Sequence, residues 1–491
     1  MLGAIPCGML SAMRSAMTAE LQRQIYLLSP RSLSPETIAV TFAKTSRTPL
    51  SFREIADELT DAKSAAFHEK WVVGYGHASV AEHAVLHLAF ENVSRLAIEC
   101  IESNRLASYT EKSTRYQKWD AEGYYVPQEV RESAYQAVYR STCQRLFQEY
   151  LGSLEPVRAV VQQKFPRQEG ESEERWEGRI RARYVDVCRF LLPAAALANV
   201  GMTANARALE HALRKMLSHP LDEVRQIGQE AKQVAVAEVP TLLKYADPLP
   251  YVAALQRELP GWAKKEPVAP TGESVGLLRL MPEPEAAALA AALYPYAADS
   301  LEGLVQHVEG MSESERARLA QAVLGERGDH DPPDRSLEHT AFTFEIVLDQ
   351  GAYFELKRHR MMTQSAQRLT TRLGYCVPRL ISEAGLEPAY RESMAMAARA
   401  YDELATWNPD VASYLVPNAF LRRVAVTMNL REAFHFCELR SAPNAHFSIR
   451  RIALRMAEVL QQVVPGLGNY LRLPIDANWR KIEEEHFTQV G

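Results

Sequence analysis

Residues 205–211 read NARALEH, and residues 429–435 read NLREAFH. Each stretch has Asn, then Arg two positions on, then His four positions after the Arg. On a helix, positions four apart share a face, so arginine and histidine project together. Polar residues at fixed spacing on an otherwise apolar helix are hard to attribute to packing. Three further echoes occur in the same order. SFRE (51–54) is matched by SESE (312–315), AEH (81–83) by LEH (337–339), and GYYVP (123–127) by GYCVP (374–378). Four ordered echoes indicate an internal duplication.

The spacing between copies is 256 at the histidines and 224 at the asparagines. The first copy therefore carries about thirty extra residues, which suits an inserted surface segment. The charged stretch PRQEGESEERWEGR (166–179) is the expected insertion. LPGWAKKEPVAPTGE (259–273) is rich in Pro and Gly and reads as a linker. The expected organisation is an extension (1–25), a first copy (26–258), the linker (259–273) and a second copy (274–491).

Secondary structure is mixed. SFRE and SESE read as capping boxes that open helices. Ser34 and Pro35 read as N-cap and first helical residue. Phe342, Phe344, Ile346 and Leu348 alternate as in a half-buried strand, and 450–463 has helical apolar spacing. Each copy should be an α+β unit, a sheet packed by long helices.

Over 491 residues, 47% hydrophobic and 24% charged content describe a folded, soluble chain. A net charge of −5 gives no basic field for nucleic acid. No apolar run approaches the roughly 20 residues of a membrane span. The start, MLGAIPCGMLSAMRSAM, has no basic flank before its apolar part and reads as an extension rather than a signal peptide. Six scattered cysteines without a CxxC pair argue for reduced thiols in a cytoplasm.

Three stretches are candidates for chemistry. KRHR (357–360) should fall at a helix end, where cations are mildly favoured by the dipole. The alternative is that Arg358 and Arg360 grip an anion through forked hydrogen bonds while His359 stacks on or donates to a planar ligand. In GHASVAEH (76–83), Ser79 and Glu82 fit a capping box, which leaves His77 and His83 unexplained. A histidine beside free helix N–H groups suits an anion. His83 and His87 have helical spacing, but no third metal ligand is near, and no metal site is assigned. YTEKSTRY (109–116) reads either as a polar turn followed by a strand or as a loop wrapping a phosphate with hydroxyls and Arg115.

Together these residues resemble the flavin-dependent thymidylate synthases. Their signature is R-H-R, seven residues, then Ser, preceded by G-H-x-[ST]-x-x-E-H and followed by N-x-R-x-x-x-H. The resemblance covers both halves, so it implies two tandem copies of that α+β fold. It implies FAD as cofactor, dUMP as substrate, methylenetetrahydrofolate as carbon donor and NADPH as reductant. The family works as a homotetramer with shared sites, so a tandem chain is expected to form a homodimer that imitates it. Nucleotide and folate are the expected partners, with neither nucleic acid nor membrane.

The motif residues are split between the copies. The first keeps Gly76, His77, Ser79, Glu82 and His83, and also Asn205, Arg207 and His211, which correspond to flavin contacts. It keeps Glu111, Ser113, Arg115 and Arg189 for the nucleotide. Its R-H-R has become Ser103, Asn104 and Arg105, and Met216 replaces a substrate arginine. The second keeps Arg358, His359, Arg360, Asn429, Arg431 and His435 for flavin, with Arg358 also for the nucleotide, and Arg440 as the residue facing the pyrimidine. It has lost the G-H-x-S part (332–335). Arg368, Thr370 and Ser413 stand opposite Ser113, Arg115 and Arg189, and Glu355 replaces a nucleotide-contacting glutamine. The copies are complementary, so one composite site per chain is expected. Alternatives are a flavoenzyme for a related pyrimidine nucleotide, which Glu355 invites, and a flavin- or nucleotide-binding homologue without catalysis.

Overall fold

The computed structural model describes residues 24, 26–46, 48–74, 77–113, 115, 117–263 and 274–491. Nearly all of the 1–25 extension, Gly76 and most of the 259–273 join lie outside them. The chain forms two compact units, Met1–Ala84 and Val85–Gly491.

The smaller unit holds helices α1 (Pro35–Lys44), α2 (Phe52–Glu58) and α3 (Asp61–His68). The Ser34 hydroxyl caps α1 by accepting from the Thr37 N–H. Ser51 and Glu54 form a reciprocal capping box on α2. Ala39, Val40 and Ile55 are fully buried. His68 is buried too, with Nε2 3.0 Å from the Glu36 carbonyl. Residues 78–83 form a 3-10 turn with His77 at its cap position and no side-chain cap bond. Ser79 therefore lies inside the turn, and the expected Ser79–Glu82 capping box does not form.

In the larger unit, counting helices of seven residues or more, the chain first forms β1 (Val85–Ser94), α4 (Arg95–Ile101), β2 (Ala107–Glu111), α5 (Gln136–Lys164) and α6 (Glu173–Cys188). It continues as β3 (Leu197–Asn205), α7 (Ala206–Leu217), α8 (Asp222–Glu238) and α9 (Pro250–Trp262). Then come β4 (Val275–Leu280), α10 (Pro284–Leu293), α11 (Leu301–Glu309), α12 (Glu313–Leu324), β5 (Phe342–Asp349), α13 (Gln350–Leu356) and β6 (Thr363–Ala366). Last are β7 (Cys376–Pro378), α14 (Glu387–Ala405), β8 (Leu421–Met428), α15 (Leu430–Ser441), α16 (Phe447–Val463), α17 (Trp479–His486) and β9 (Phe487–Val490). The sheets run β1-β3-β2, β4-β5-β8-β6 and β7-β9, with every pairing antiparallel.

The duplication is visible in the ladders. Ser94 pairs with Leu197 at the end of β1, as Asp349 pairs with Leu421 at the end of β5. Each of these strands runs directly into a helix whose N-cap is Ser94 or Asp349. Phe342, Phe344 and Ile346 alternate into the second copy's core, as their spacing predicts. The second capping box forms at Ser312 and Glu315. The copies join through a two-fold pattern of backbone bonds. Ala194 N–H donates to Val416 O and Asn418 N–H to Leu192 O, each at 3.0 Å. Ala195 donates to Tyr414 O at 2.8 Å and Ala419 to Phe190 O at 3.0 Å.

Four further expectations need correction. The extra length of the first copy is not a surface loop. It is a helical pair, α5 and α6 of 29 and 16 residues, where the second copy has α14 of 19 and a 4-residue turn. Val157, Val161 and Ile180 bury this pair. In 109–116 the strand comes first: β2 ends at Glu111 and the polar loop follows. His83 ends the 3-10 turn whereas His87 lies in β1, so the two do not share a helix face. The join's first residues, 259–262, continue α9. No helix of the described residues is long and apolar enough to cross a membrane. Cys100, Cys143, Cys188, Cys376 and Cys437 are free and buried.

Candidate functional site

The KRHR stretch lies at the end of α13, with Lys357 as its C-cap. Asp349 caps the start of this helix, and its residues are buried throughout. The chain leaves α13 between the copies. Lys357 turns back into an ion pair with Glu102 at 2.9 Å. Arg358 reaches Glu111 at 3.1 Å. Arg360 donates to the Arg105 carbonyl at 2.9 Å, and its guanidinium lies over the Tyr109 ring.

His359 is buried between two partners. Its Nδ1 is 3.0 Å from Glu432, and its Nε2 accepts from Arg440 Nε at 3.0 Å. A guanidinium can only donate, so Nε2 is unprotonated and the proton sits on Nδ1. Burial, then the positive charge of Arg440, holds this imidazole well below its ordinary pKa. Burial raises the Glu432 carboxyl, so the contact is a hydrogen bond to a neutral ring. The result is a fixed chain, Glu432 to His359 to Arg440, that aims the Arg440 guanidinium. Its Nη1 donates to Glu355 at 3.3 Å.

A cavity of about 140 Å³ opens here. Glu111, Ser113, Arg115 and Arg189 of the first copy line it together with Glu355, Arg358 and Arg440 of the second. These are the seven residues singled out for the nucleotide, and both copies supply them. Arg115 grips Asp186 with Nε and Nη2, each at 2.9 Å, and donates Nη1 to the Asn444 carbonyl at 3.0 Å. Arg189 is buried, with Glu355 at 3.6 Å. The Glu355 Oε1 atom is itself buried and accepts no hydrogen bond from the protein.

Three lining residues were missed by sequence: Arg95, Lys112 and Phe354. Arg95 bonds Glu111 at 2.7 Å and lies 3.8 Å above the Phe354 ring. Burial alone would raise the Glu111 carboxyl. Arg95, Lys357 and Arg358 outweigh it and hold the group below the usual range. A signal was present: Arg95 is the first residue of α4, where the helix dipole disfavours a cation. Only a nearby anion justifies it there. Six cations against two carboxylates leave this cavity with an excess of positive charge, which suits an anion.

The cofactor candidates are more dispersed. Asn205 and Asn429 are N-caps whose side chains accept from Ala208 and Glu432 N–H groups. Arg207 and His211 project from α7 and are exposed. His435 is exposed, and its ring centroid lies 5.3 Å from that of His359. Arg431 is paired with Glu338 at 2.8 Å and donates to the Pro333 carbonyl. His77, Ser79 and Glu82 lie in the smaller unit, and all three are exposed.

The family described as thymidylate synthase complementing protein matches residues 28–241 and again 276–466. The chain belongs to that family. Its double match agrees with the two-fold pattern of strands, caps and joining bonds, so the fold is a tandem α+β duplication. A UPF0159 protein of Chlamydia muridarum is 32% identical over 436 residues, 84% of this chain and 82% of its own. Another, from Thermoplasma acidophilum, is 28% identical over 453 residues, 84% and 89% of the two chains. A flavin-dependent thymidylate synthase of Geobacter sulfurreducens is 32% identical over 205 residues, 39% of this chain but 84% of its own. Most of that protein aligns with less than half of this chain, as a duplication requires.

Proposed function

We propose that the chain is an FAD-dependent thymidylate synthase that methylates dUMP reductively to dTMP, with methylenetetrahydrofolate as carbon donor and NADPH as reductant. The observation that carries this reading is the cationic cavity, to which each copy contributes the residues the other lacks. Arg115, Ser113 and Arg358 suit a nucleotide phosphate, and Arg189 and Glu355 suit a pyrimidine edge. Arg440, held by His359, is placed to donate to negative charge that develops on the ring. At about 140 Å³ the cavity is tighter than the roughly 300 Å³ at the lower end of ligand sites. In this reading the incoming phosphate takes over Arg358, while Glu111 keeps its bond to Arg95.

The donors around His359 fit a flavin dinucleotide in kind. Arg358, Arg360 and Arg431 offer forked donors for phosphates, and the exposed His435 ring offers a face to a planar group. When bound, FAD supplies the hydride chemistry. The protein binds, orients and neutralises charge. The tandem chain works as a homodimer in the cytoplasm, where its buried cysteines stay reduced. The test is tritium release from 5-³H-dUMP with FAD, NADPH and methylenetetrahydrofolate, together with rescue of a thymidine auxotroph. Absence of both would refute the reading.

Glu355 favours a second reading, a related pyrimidine nucleotide. A carboxylate only accepts hydrogen bonds, and its buried Oε1 suits a ligand that brings an N–H. The uracil N3–H and the cytosine amino group both qualify. Turnover of dCMP but not dUMP would select this reading.

A further inference from the structure

The two-fold relation that builds the first cavity builds a second one, of about 420 Å³. The strand ladders fix the correspondence, since Ser94 and Asp349 occupy the same place. Counting from there, Cys100 stands where the first cavity has Glu355, and Ser103 where it has Arg358. Ser413 stands where it has Arg189. Shorter side chains at these three positions account for the larger volume. The reciprocal site has been hollowed out rather than filled.

It has not been stripped of charge. Arg368 lies at the place of Ser113 and pairs with Asp410 at 2.9 Å. This repeats the Arg115–Asp186 pair of the first cavity, because Asp410 and Asp186 also correspond. Lys215 also lines this cavity and lies one residue before Met216, the counterpart of Arg440. Its ammonium donates to Ser103 Oγ at 2.5 Å and to Asn104 Oδ1 at 2.8 Å. The second cavity thus keeps Arg368 and Lys215, with Arg422 paired to Glu99, and has lost the counterparts of Arg189 and Arg358.

We propose that this second cavity is an effector site for a nucleoside monophosphate, with Arg368 and Lys215 as its cationic anchors. Its effect reaches the first cavity through shared walls. Helix α4 turns Arg95 into the first cavity and Glu99 and Cys100 into the second. Helix α13 turns Phe354 and Glu355 into the first and Tyr353 into the second. Glu99 bonds Gln350 of α13 and pairs with Arg422 at 2.8 Å, which ties the two helices together. An occupant that shifts Glu99 shifts both.

The proposal rests on the proposed function for its ligand class and for the choice of probe. The experiment is equilibrium dialysis of the full chain with radiolabelled dTMP. Wild type should bind two equivalents per chain. Lys215→Met and Arg368→Ala should each weaken one class at least tenfold and leave the other. Arg440→Ala should do the converse. Arg368 is half-exposed, so its variant has little reason to misfold. One equivalent, unaffected by Lys215→Met and Arg368→Ala but lost in Arg440→Ala, overturns this proposal and leaves the function reading intact. One equivalent lost only in Lys215→Met and Arg368→Ala upholds the effector site and counts against that reading. No binding at all overturns the effector site.

Discussion

The two copies treat their shared positions in two different ways. At the strand-to-helix junction the first copy has Ser94 and the second Asp349. Ser94 donates its N–H at 2.8 Å and its hydroxyl at 2.6 Å to the buried Glu223 of α8. Asp349 accepts from Ser448, the matching residue of α16. Donor and acceptor have changed places, yet the bond and the cap survive. In the cavities three charges are lost and not swapped: Arg189, Arg358 and Glu355 correspond to Ser413, Ser103 and Cys100. A structural pair is constrained only to be complementary, so it can swap. A ligand site is constrained by something outside the chain, so a change in one copy calls for no matching change in the other.

Removing charge from the retained side should have the largest effect. Arg440→Ala should lower dTMP formation by about a hundredfold or more, the scale for losing a donor to developing charge. Met216→Ala, at the corresponding place, should leave turnover nearly intact once its cavity cost to stability is allowed for. Equal losses in both variants, measured by tritium release, would make the two cavities functionally alike.

The swapped pair predicts a stability difference. Ser448→Ala leaves the buried Asp349 carboxylate short of a donor, at about 1–3 kcal/mol. Ser94→Ala leaves Glu223 short of a donor and also removes the α4 cap, which accepts from Ala97 N–H at 2.9 Å, for about 1 kcal/mol more. Urea unfolding should rank wild type, Ser448→Ala, Ser94→Ala in falling midpoint. A reversed order would show that the two junctions are not equivalent.

Much of this was legible in sequence. The four echoes gave the duplication because helix caps and motif spacing are local. R-H-R was readable as a cluster at a helix end because GAYFEL precedes it. The seven nucleotide candidates were readable from resemblance, motif by motif. The carboxylate that each arginine meets was not legible. Arg358 and Glu111 are 247 residues apart, and only the packing of one copy on the other joins them. Arg95 was hidden for the same reason, since its partners Glu111 and Phe354 come from elsewhere in the chain. The helical form of the first copy's extra residues was missed because its charged stretch resembles a loop in composition. Ser172 in fact caps α6 there.

Glu355 offers a sharper, smaller test. It places a negative charge 3.3 Å from Arg440 and 3.6 Å from Arg189, where Cys100 places none. Glu355→Gln frees both guanidiniums for an anionic nucleotide and should tighten dUMP binding by about tenfold. The check is calorimetric titration. Weaker binding would mean that the carboxylate receives a hydrogen bond from the ligand, which supports the reading in which Glu355 selects the base.

The smallest effect concerns protons. His359 occupies the place that Asn104 holds in the first copy. Asn104 is also buried, donating to Ile101 O at 3.0 Å and accepting from Lys215, but it cannot titrate. Burial, then Arg440, holds His359 well below its ordinary value, whereas the unfolded chain protonates it near pH 6.5. Below that value the unfolded state binds more protons than the folded state. Stability from this residue is thus fully present above about pH 6.5 and is lost as pH falls towards the folded pKa. The slope is about 1.4 kcal/mol per pH unit for one full proton. His359→Asn should lower stability at pH 7.5, because Arg440 and Glu432 lose their partner. It should also flatten the acid limb between pH 6 and 5 by up to that slope. His446 is held down in the same way and stays in place, so some acid sensitivity remains. Urea midpoints at half-unit pH steps would separate the two effects. An unchanged slope would mean that His359 is already protonated in the fold, which its acceptance from the Arg440 guanidinium forbids.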